Sequence, residues 1–251
     1  MGESRQNPEQ LPKSIQTDEE NRNKGHLKIF FGYAAGVGKT YAMLEAAHMA
    51  KQQGIDVVAG YVEPHACPKT AALLNGLEVL PTREVFYNGM ILDEFDIGMA
   101  LKRKPQLILV DELAHTNAEG CRHAKRYQDI KELLNAGIDV YTTVNVQHIE
   151  SLCDTVASIT EIVVRERIPD SIFDNADQVE LIDIEPQDLI NRLNTGNVYR
   201  QTQAKQAVEN FFTIENLTAL REISLRRCAD RVNILTENTR IKNHGDYHTG
   251  E

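Results

Sequence analysis

A glycine-rich turn followed by a lysine and a threonine is the part of the sequence best suited to chemistry. It reads Gly36-Val37-Gly38-Lys39-Thr40 and joins an apolar run to a segment rich in helix-forming residues. Backbone N–H groups of such a turn converge on phosphate oxygens, and the amino end of the next helix adds partial positive charge. A lysine ammonium can lie between the β- and γ-phosphates, and a threonine hydroxyl can bind Mg²⁺. This pattern predicts a P-loop that binds ATP with Mg²⁺.

The turn departs from the usual P-loop pattern at its first glycine. The pattern has a glycine where this chain has Tyr33, and the nearest glycine is Gly32, one residue earlier. The half of the loop that contacts phosphate, from Gly36 to Thr40, is intact. A glycine-rich turn with an incidental lysine is the alternative interpretation of this segment alone.

A second feature favours the nucleotide interpretation. Residues 107–110 are four consecutive apolar residues, and Asp111 and Glu112 follow them, as in a Walker B strand. Such a strand carries an aspartate to the carboxyl edge of the sheet, where it can hold Mg²⁺, while the next acid can orient or deprotonate a water. Glu112 is the predicted catalytic residue, and Thr40 and Asp111 are the predicted metal ligands. The predicted nucleotide-binding residues are Gly32, Ala35, Gly36, Val37, Gly38, Lys39, Thr40, Tyr41 and Asp111.

Strand-like and helix-like segments alternate along the chain, which predicts an α/β fold. Apolar or β-branched runs occur at 27–31, 56–63, 107–110, 139–146 and 179–184, and helix-forming segments occur at 39–53 and 127–135. Such alternation is typical of a mostly parallel sheet with helices on both faces. We therefore expect a P-loop NTPase-like three-layer fold with a helical C-terminal extension. The arginines of the helix predicted at 216–232 are expected to form a solvated face.

Composition limits the remaining possibilities. The net charge of −10 disfavours nucleic acid as a partner, and no apolar run approaches the length of a membrane span. The chain is therefore expected to be cytoplasmic, with no direct membrane insertion. Polar residues dominate 1–25, expected to be a disordered lead-in, and 236–251, expected to be a flexible tail, so the ATP-binding domain is expected at 26–235.

Several segments resemble the amino-terminal domain of the KdpD family of potassium-sensing histidine kinases. They are LKIFFG at 27–32, the P-loop with its continuation to 45, DELAHTN at 111–117, KRYQD at 125–129, GIDVYTTVNVQH at 137–148 and NLTALRE at 216–222. The resemblance runs from about residue 25 to residue 232. The family shares the displaced first glycine, but two loops differ from its pattern, at 62–67 and 117–126.

The resemblance implies an ATP-binding regulatory domain of a two-component potassium sensor. In that family the domain modulates the phosphorelay that controls high-affinity potassium uptake, and the full-length proteins are anchored in the inner membrane. Its implied partners are the remaining domains of a sensor kinase or a response regulator. The family's phosphoacceptor and catalytic kinase domains have no counterpart in these 251 residues. We therefore expect at most slow ATP hydrolysis from this chain by itself.

Two other functions stay open. The chain can be a stand-alone P-loop ATPase or a small-molecule kinase that uses Glu112 as its base, or a binding protein whose P-loop no longer takes nucleotide. A small-molecule kinase needs arginines on a lid that closes over both substrates. The basic cluster of Arg122, Lys125 and Arg126 is the candidate for that lid. His65, His115 and His123 are further candidates for contact with phosphate or a partner.

Overall fold

The computed structural model describes residues 24–63, 68–87, 89–194 and 211–245, with side chains at 24–63, 69–87, 89–194 and 211–237. All but the last two residues of the predicted lead-in at 1–25 lie outside these ranges, as do residues 246–251 of the predicted tail and His65. Gly25 is part of the folded domain, since its N–H donates to the Leu134 carbonyl at 2.8 Å.

A parallel sheet forms the centre of the described structure. Its six strands lie in the order β3-β2-β6-β7-β1-β8, and every neighbouring pair is parallel. A separate antiparallel hairpin, β4 with β5, lies between β3 and β6 in sequence. The prediction of a mostly parallel sheet is confirmed, whereas no pattern in the sequence predicted the hairpin. The strands are β1 (Leu27–Gly32), β2 (Val57–Tyr61), β3 (Glu78–Val79), β4 (Arg83–Tyr87), β5 (Met90–Glu94), β6 (Leu107–Val110), β7 (Asp139–Asn145) and β8 (Gln178–Leu181).

Helices cover both faces of the sheet. Side chains of a strand alternate between its faces, so Phe30 of β1 packs with Met43 and Leu44 on one side, whereas Phe31 packs edge to face on Phe173 on the other. The helices are α1 (Lys39–Gln52), α2 (Pro68–Ala72), α3 (Ile97–Arg103), α4 (Arg126–Asn135), α5 (Cys153–Thr160), α6 (Asp170–Asp174), α7 (Pro186–Asn194) and α8 (Ile214–Gly245). The result is a three-layer α/β arrangement.

The long C-terminal helix differs from expectation in two ways. It continues through residues 236–245, into the segment for which a flexible tail is predicted, because no glycine or proline interrupts this polar segment before Gly245, where the helix ends. Its arginines are also not all solvated. Arg227 is buried and paired with Asp174 at 2.6 Å, and Arg231 is buried and donates to the Phe173 carbonyl at 3.2 Å. These contacts attach α8 to α6.

Parallel strands bring their carboxyl ends to one edge of the sheet, and this edge is where the predicted site residues lie. Gly32 ends β1, Asp111 follows β6, and Asn145 ends β7. Because β6, β7 and β1 are consecutive neighbours in the sheet, residues far apart in sequence meet there. Within the described ranges, no helix combines the length and the apolar composition needed to cross a membrane.

Candidate functional site

The glycine-rich loop has backbone conformations that explain its composition. Gly36 and Gly38 have φ angles of 89° and 111°, in the left-handed region that favours glycine. At Gly32 the reason is close approach, because a Cβ there would lie 2.7 Å from Val37 Cγ2 and 3.2 Å from Lys39 Cδ. Tyr33 is fully buried, and its hydroxyl donates to the Ile184 carbonyl at 3.2 Å. The displaced glycine and the tyrosine therefore each have a structural role.

Lys39 begins α1 and is almost completely buried beneath the loop. Its ammonium donates to the Ala34 carbonyl at 3.0 Å, across the turn. Burial lowers the pKa of Lys39 to about 8, although the charges of Asp111 and Glu112 act in the opposite direction. A buried ammonium whose charge is only partly balanced by the protein is ready to receive an anionic ligand.

Asp111 lies fully buried at the end of β6, beside the first turn of α1. Thr40 Oγ1 donates to its Oδ2 at 3.1 Å, and Thr143 Oγ1 donates to its Oδ1. The N–H of Glu112 also donates to Oδ1, at 3.1 Å. The carboxylate is thus held in one orientation, in direct contact with the threonine hydroxyl. A hydroxyl and a carboxylate are oxygen ligands that suit Mg²⁺, which takes few protein ligands and completes its shell with water and phosphate.

Glu112 adopts an uncommon backbone conformation at the same edge. Its φ angle is 59°, and its N–H also donates to Thr143 Oγ1 at 3.2 Å. Burial, together with the neighbouring charges of Asp111 and Glu63, raises the pKa of Glu112 to about 7. A carboxyl group that titrates near neutral pH can accept a proton from water, which is the role predicted for this residue.

The raised pKa makes stability depend on pH. The folded protein holds the Glu112 proton more tightly than the unfolded chain, so this contribution is complete below about pH 4.5 and is lost as pH rises to about 7. Replacement of Glu112 by glutamine is therefore expected to raise the free energy of unfolding by about 1–3 kcal/mol at pH 8 and to change it little at pH 4.5. Urea unfolding at both pH values, without nucleotide or magnesium, measures this. An equal change at the two pH values would contradict it.

The loop, α1 and the ends of β6 and β7 enclose a cavity of about 800 Å³. It gathers the predicted residues from Ala35 to Tyr41 together with Asp111 and Glu112, whereas Gly32 lies behind the loop rather than on the cavity wall. Sequence reasoning did not single out several other wall residues. They are Ala42, Glu63, Lys69, Thr70, Ala114, Thr143, Val144, Asn145, His148, Glu166, Ile182 and Arg192.

The wall contributed by β7 carries polar groups at the sheet edge. Asn145 Oδ1 is inaccessible to solvent and has no hydrogen-bond partner among the residues that the structure describes. His148 Nδ1 donates to the Glu166 carbonyl at 2.9 Å, and burial lowers the pKa of its imidazole. Asn145 and His148 belong to the segment TTVNVQH. Its polar residues at the end of a β-branched run were the sequence signal that could have identified them as wall residues.

A buried ion pair supports the site from behind. Arg126 of α4 is fully buried, and its Nη2 donates to Glu94 Oε2 at 3.0 Å. Its Nη1 donates to the Asp111 carbonyl at 3.3 Å, and its guanidinium lies 4.1 Å from the centre of the Tyr61 ring. His115 Nε2 lies 3.1 Å from Glu94 Oε1 and borders the cavity. Arg126 thus fixes the backbone of Asp111.

The basic cluster considered as a lid is not arranged as one. Arg126 is enclosed in the domain, and Lys125 Nζ donates to Thr116 Oγ1 at 2.6 Å. Arg122 and His123 both pair with Glu132 of α4, at 2.5 and 2.8 Å, and neither borders the main cavity. These contacts hold the loop before α4 against that helix.

The fold and the cavity define an α/β protein with a polar cleft at the carboxyl edge of a parallel sheet. The family model described as the osmosensitive K⁺ channel His kinase sensor domain, KdpD, matches residues 23–232. The chain therefore belongs to the KdpD sensor-domain family, and the resemblance noted in the sequence is confirmed.

Individual relatives support the same assignment. The chain is 60% identical over 237 residues to the sensor protein KdpD of Clostridium acetobutylicum, covering 94% of this chain and 26% of that protein. It is 58% identical over 210 residues to the sensor protein KdpD of Escherichia coli strain K12, covering 84% of this chain and 24% of that protein. For the sensor protein KdpD of Mycobacterium tuberculosis the identity is 52% over 208 residues, with 83% and 24% covered. The chain spans about a quarter of the length of these relatives.

Proposed function

We propose that this chain is the ATP-binding regulatory domain of a KdpD-type two-component potassium sensor. In this proposal nucleotide occupancy modulates a phosphorelay that controls high-affinity potassium uptake. The domain is assigned to the cytoplasm, where its partners are the remaining domains of a sensor kinase or a response regulator. Membership in the KdpD family supports the signalling context, and the residues of the cavity support the nucleotide.

The observation that carries the proposal is the contact between Thr40 and Asp111 beside a buried lysine. The two oxygens are 3.1 Å apart, although the residues come from different parts of the chain. This is the arrangement expected of the hydroxyl and the carboxylate that hold Mg²⁺ in a P-loop site. Lys39 then binds the β- and γ-phosphates, and the backbone N–H groups of the loop from Ala35 to Thr40 surround them. We therefore assign the domain a P-loop NTPase-like fold.

The second candidate function is a stand-alone ATPase that hydrolyses ATP without other domains. The properties of Glu112 favour this candidate. Its raised pKa suits a general base, and it borders the same cavity as Lys39 and Asp111. A small-molecule kinase has less support, because Arg126 is buried and Arg122 is paired with Glu132, so neither is placed as a lid arginine. A loop unable to bind nucleotide is disfavoured by the intact contacts of Lys39 and Thr40.

Calorimetric titration of the purified chain with ATP and Mg²⁺ tests the proposal, with phosphate release followed in the same samples. We expect one site with a dissociation constant in the micromolar range, weaker binding when Mg²⁺ is removed by chelation, and negligible phosphate release. Replacing Asp111 by asparagine should remove the effect of Mg²⁺ on ATP affinity.

The same experiment separates the alternatives. Rapid phosphate release that is lost on replacing Glu112 by glutamine would favour the ATPase. Absence of any ATP binding to the folded protein would contradict both candidates and leave the loop a structural turn. The matched control is Glu119→Gln, an exposed acid outside the cavity that should alter neither binding nor turnover.

A further inference from the structure

The cavity extends to both sides of the glycine-rich loop, and its two ends differ in chemistry. On one side are β7 and β6, whose ends contribute Thr143, Asp111 and Glu112. On the other side is β8, where Ile182 follows the strand and Arg192 comes from α7. The first end is rich in carboxyl and hydroxyl groups, whereas the second combines an aliphatic side chain with a planar guanidinium.

The two proposed Mg²⁺ ligands, Thr40 and Asp111, determine the direction in which a nucleotide lies in this cavity, if the proposed function holds. Thr40 and Asp111 would hold Mg²⁺, which neutralises charge on the terminal phosphates in such sites, so these phosphates would lie on the β6 side of the loop. The strand order then leaves the β8 side for the opposite end of the molecule. That end is the adenosine part.

Arg192 is held against the loop itself. Its Nη1 donates to the Val37 carbonyl at 3.4 Å, and the same atom lies 3.8 Å from the position that a Cβ on Gly38 would occupy. Ile182 is half-buried and is fixed by its N–H, which donates to the Phe31 carbonyl at 2.7 Å and extends the pairing of β8 with β1. The two side chains thus border the cavity from different elements at one end.

We infer that Arg192 and Ile182 form the subsite for the base, which the planar guanidinium contacts by stacking while the isoleucine covers it with apolar surface. This inference rests on the proposed nucleotide function. An arginine plane stacks on aromatic rings, and an aliphatic side chain contributes contact without demanding a hydrogen bond. Stacking of this kind favours a purine through its large ring face. Lys39 binds the phosphates directly and Asp111 would act on them through Mg²⁺, whereas Arg192 and Ile182 select for the nucleoside.

A ligand that carries the phosphates but no nucleobase distinguishes phosphate binding from binding of the base. Calorimetry of the full chain would compare ATP with inorganic tripolyphosphate, both with Mg²⁺, for the wild type, Arg192→Ala, Arg192→Lys and Ile182→Ala. We expect the three variants to bind ATP about tenfold more weakly while their affinity for tripolyphosphate stays within about twofold of wild type. The lysine variant should resemble the alanine variant, because it keeps the charge but loses the plane. Arg165→Ala, an exposed arginine outside the cavity, is the control for the charge change.

Each other outcome overturns the inference in a recognisable way. If Arg192→Ala weakens ATP and tripolyphosphate equally, the guanidinium contacts phosphate and not the base. If all variants bind ATP as the wild type does, this end of the cavity does not hold the nucleoside. If the wild type binds tripolyphosphate and ATP equally, the phosphate site stands and the base subsite falls. If the wild type binds neither ligand, the proposed function fails and the base subsite with it.

Discussion

Replacement of Lys39 by alanine is expected to weaken binding of ATP with Mg²⁺ by about a hundredfold or more. The ammonium lies beneath the glycine-rich loop that is proposed to bind phosphate, and it is buried in the structure without nucleotide. Two charge-assisted hydrogen bonds to phosphate oxygens contribute roughly 3 kcal/mol together, which corresponds to about two orders of magnitude in affinity. Calorimetry with the same preparation of ATP measures the change directly.

The loss of binding should not arise from loss of folding. Because burial lowers the pKa of Lys39, the unliganded protein carries a charge that the fold disfavours. Lys39→Met, which preserves volume, should therefore be at least as stable as the wild type without nucleotide and yet should bind ATP as poorly as Lys39→Ala. Lys51→Ala, which removes an exposed charge from the other end of α1, should bind normally. Wild-type affinity in Lys39→Met would show that the ammonium contributes nothing.

The lowered pKa of Lys39 predicts that ATP binding depends on pH. Phosphate favours the charged ammonium, so bound nucleotide should raise the pKa of Lys39 above its unliganded value of about 8. Above that pH the protein must take up a proton in order to bind, and affinity should fall by up to about tenfold per pH unit. Calorimetry at pH 9 in two buffers of different ionisation enthalpy detects the uptake. Uptake that persists in Lys39→Ala would assign it to another group.

Replacement of Arg126 by leucine is expected to destabilise the protein by about 3–5 kcal/mol. It would leave the carboxylate of Glu94, only 3% exposed, without the guanidinium that pairs with it, and it would release the Asp111 carbonyl. The guanidinium also covers the Tyr61 ring, so packing is lost together with charge. Urea unfolding monitored by circular dichroism gives the free energy of unfolding.

A surface arginine and a double variant test this explanation. Arg122→Leu removes the same charge from a side chain that is 53% exposed, and it should cost less than about 1 kcal/mol. Adding Glu94→Gln to Arg126→Leu should recover part of the stability, because the buried carboxylate that has lost its guanidinium is then replaced by a neutral group. If Arg126→Leu is as stable as Arg122→Leu, the buried pair does not hold the hairpin strand β5 to α4.

Features encoded in short segments could be predicted from the sequence. The segment at 107–110 was predicted from four apolar residues before two acids and is strand β6. Helix α1 begins at Lys39, as predicted, and ends at Gln52, one residue before the predicted end. Its C-terminal stop at Gly54 is encoded locally, because the φ angle of 86° there favours glycine. The loop was recognisable for the same reason.

Contacts that depend on the order of the strands in the sheet could not be predicted from the sequence. Thr143 and Arg192 border the cavity only because β7 and β8 lie on either side of β1, and no local pattern states this order. The β4–β5 hairpin was missed because its exposed face carries Phe86 and Ile91, at 75% and 64% exposure, instead of alternating with polar residues. The burial of Arg227 and Arg231 likewise depends on α6, which packs on them from a distant part of the chain.

The position of β1 in the sheet also governs the order in which the protein can assemble during synthesis. Leu27 pairs with Val140 and Lys28 pairs with Gln178, so the first strand made has no neighbour until most of the domain has left the ribosome. Contacts between such distant residues carry a large loop-closure cost and form slowly. The glycine-rich loop, although encoded near the start of the chain, therefore reaches its folded surroundings only after β7 has been translated. An apolar strand that waits this long without its neighbours is exposed to misfolding and aggregation.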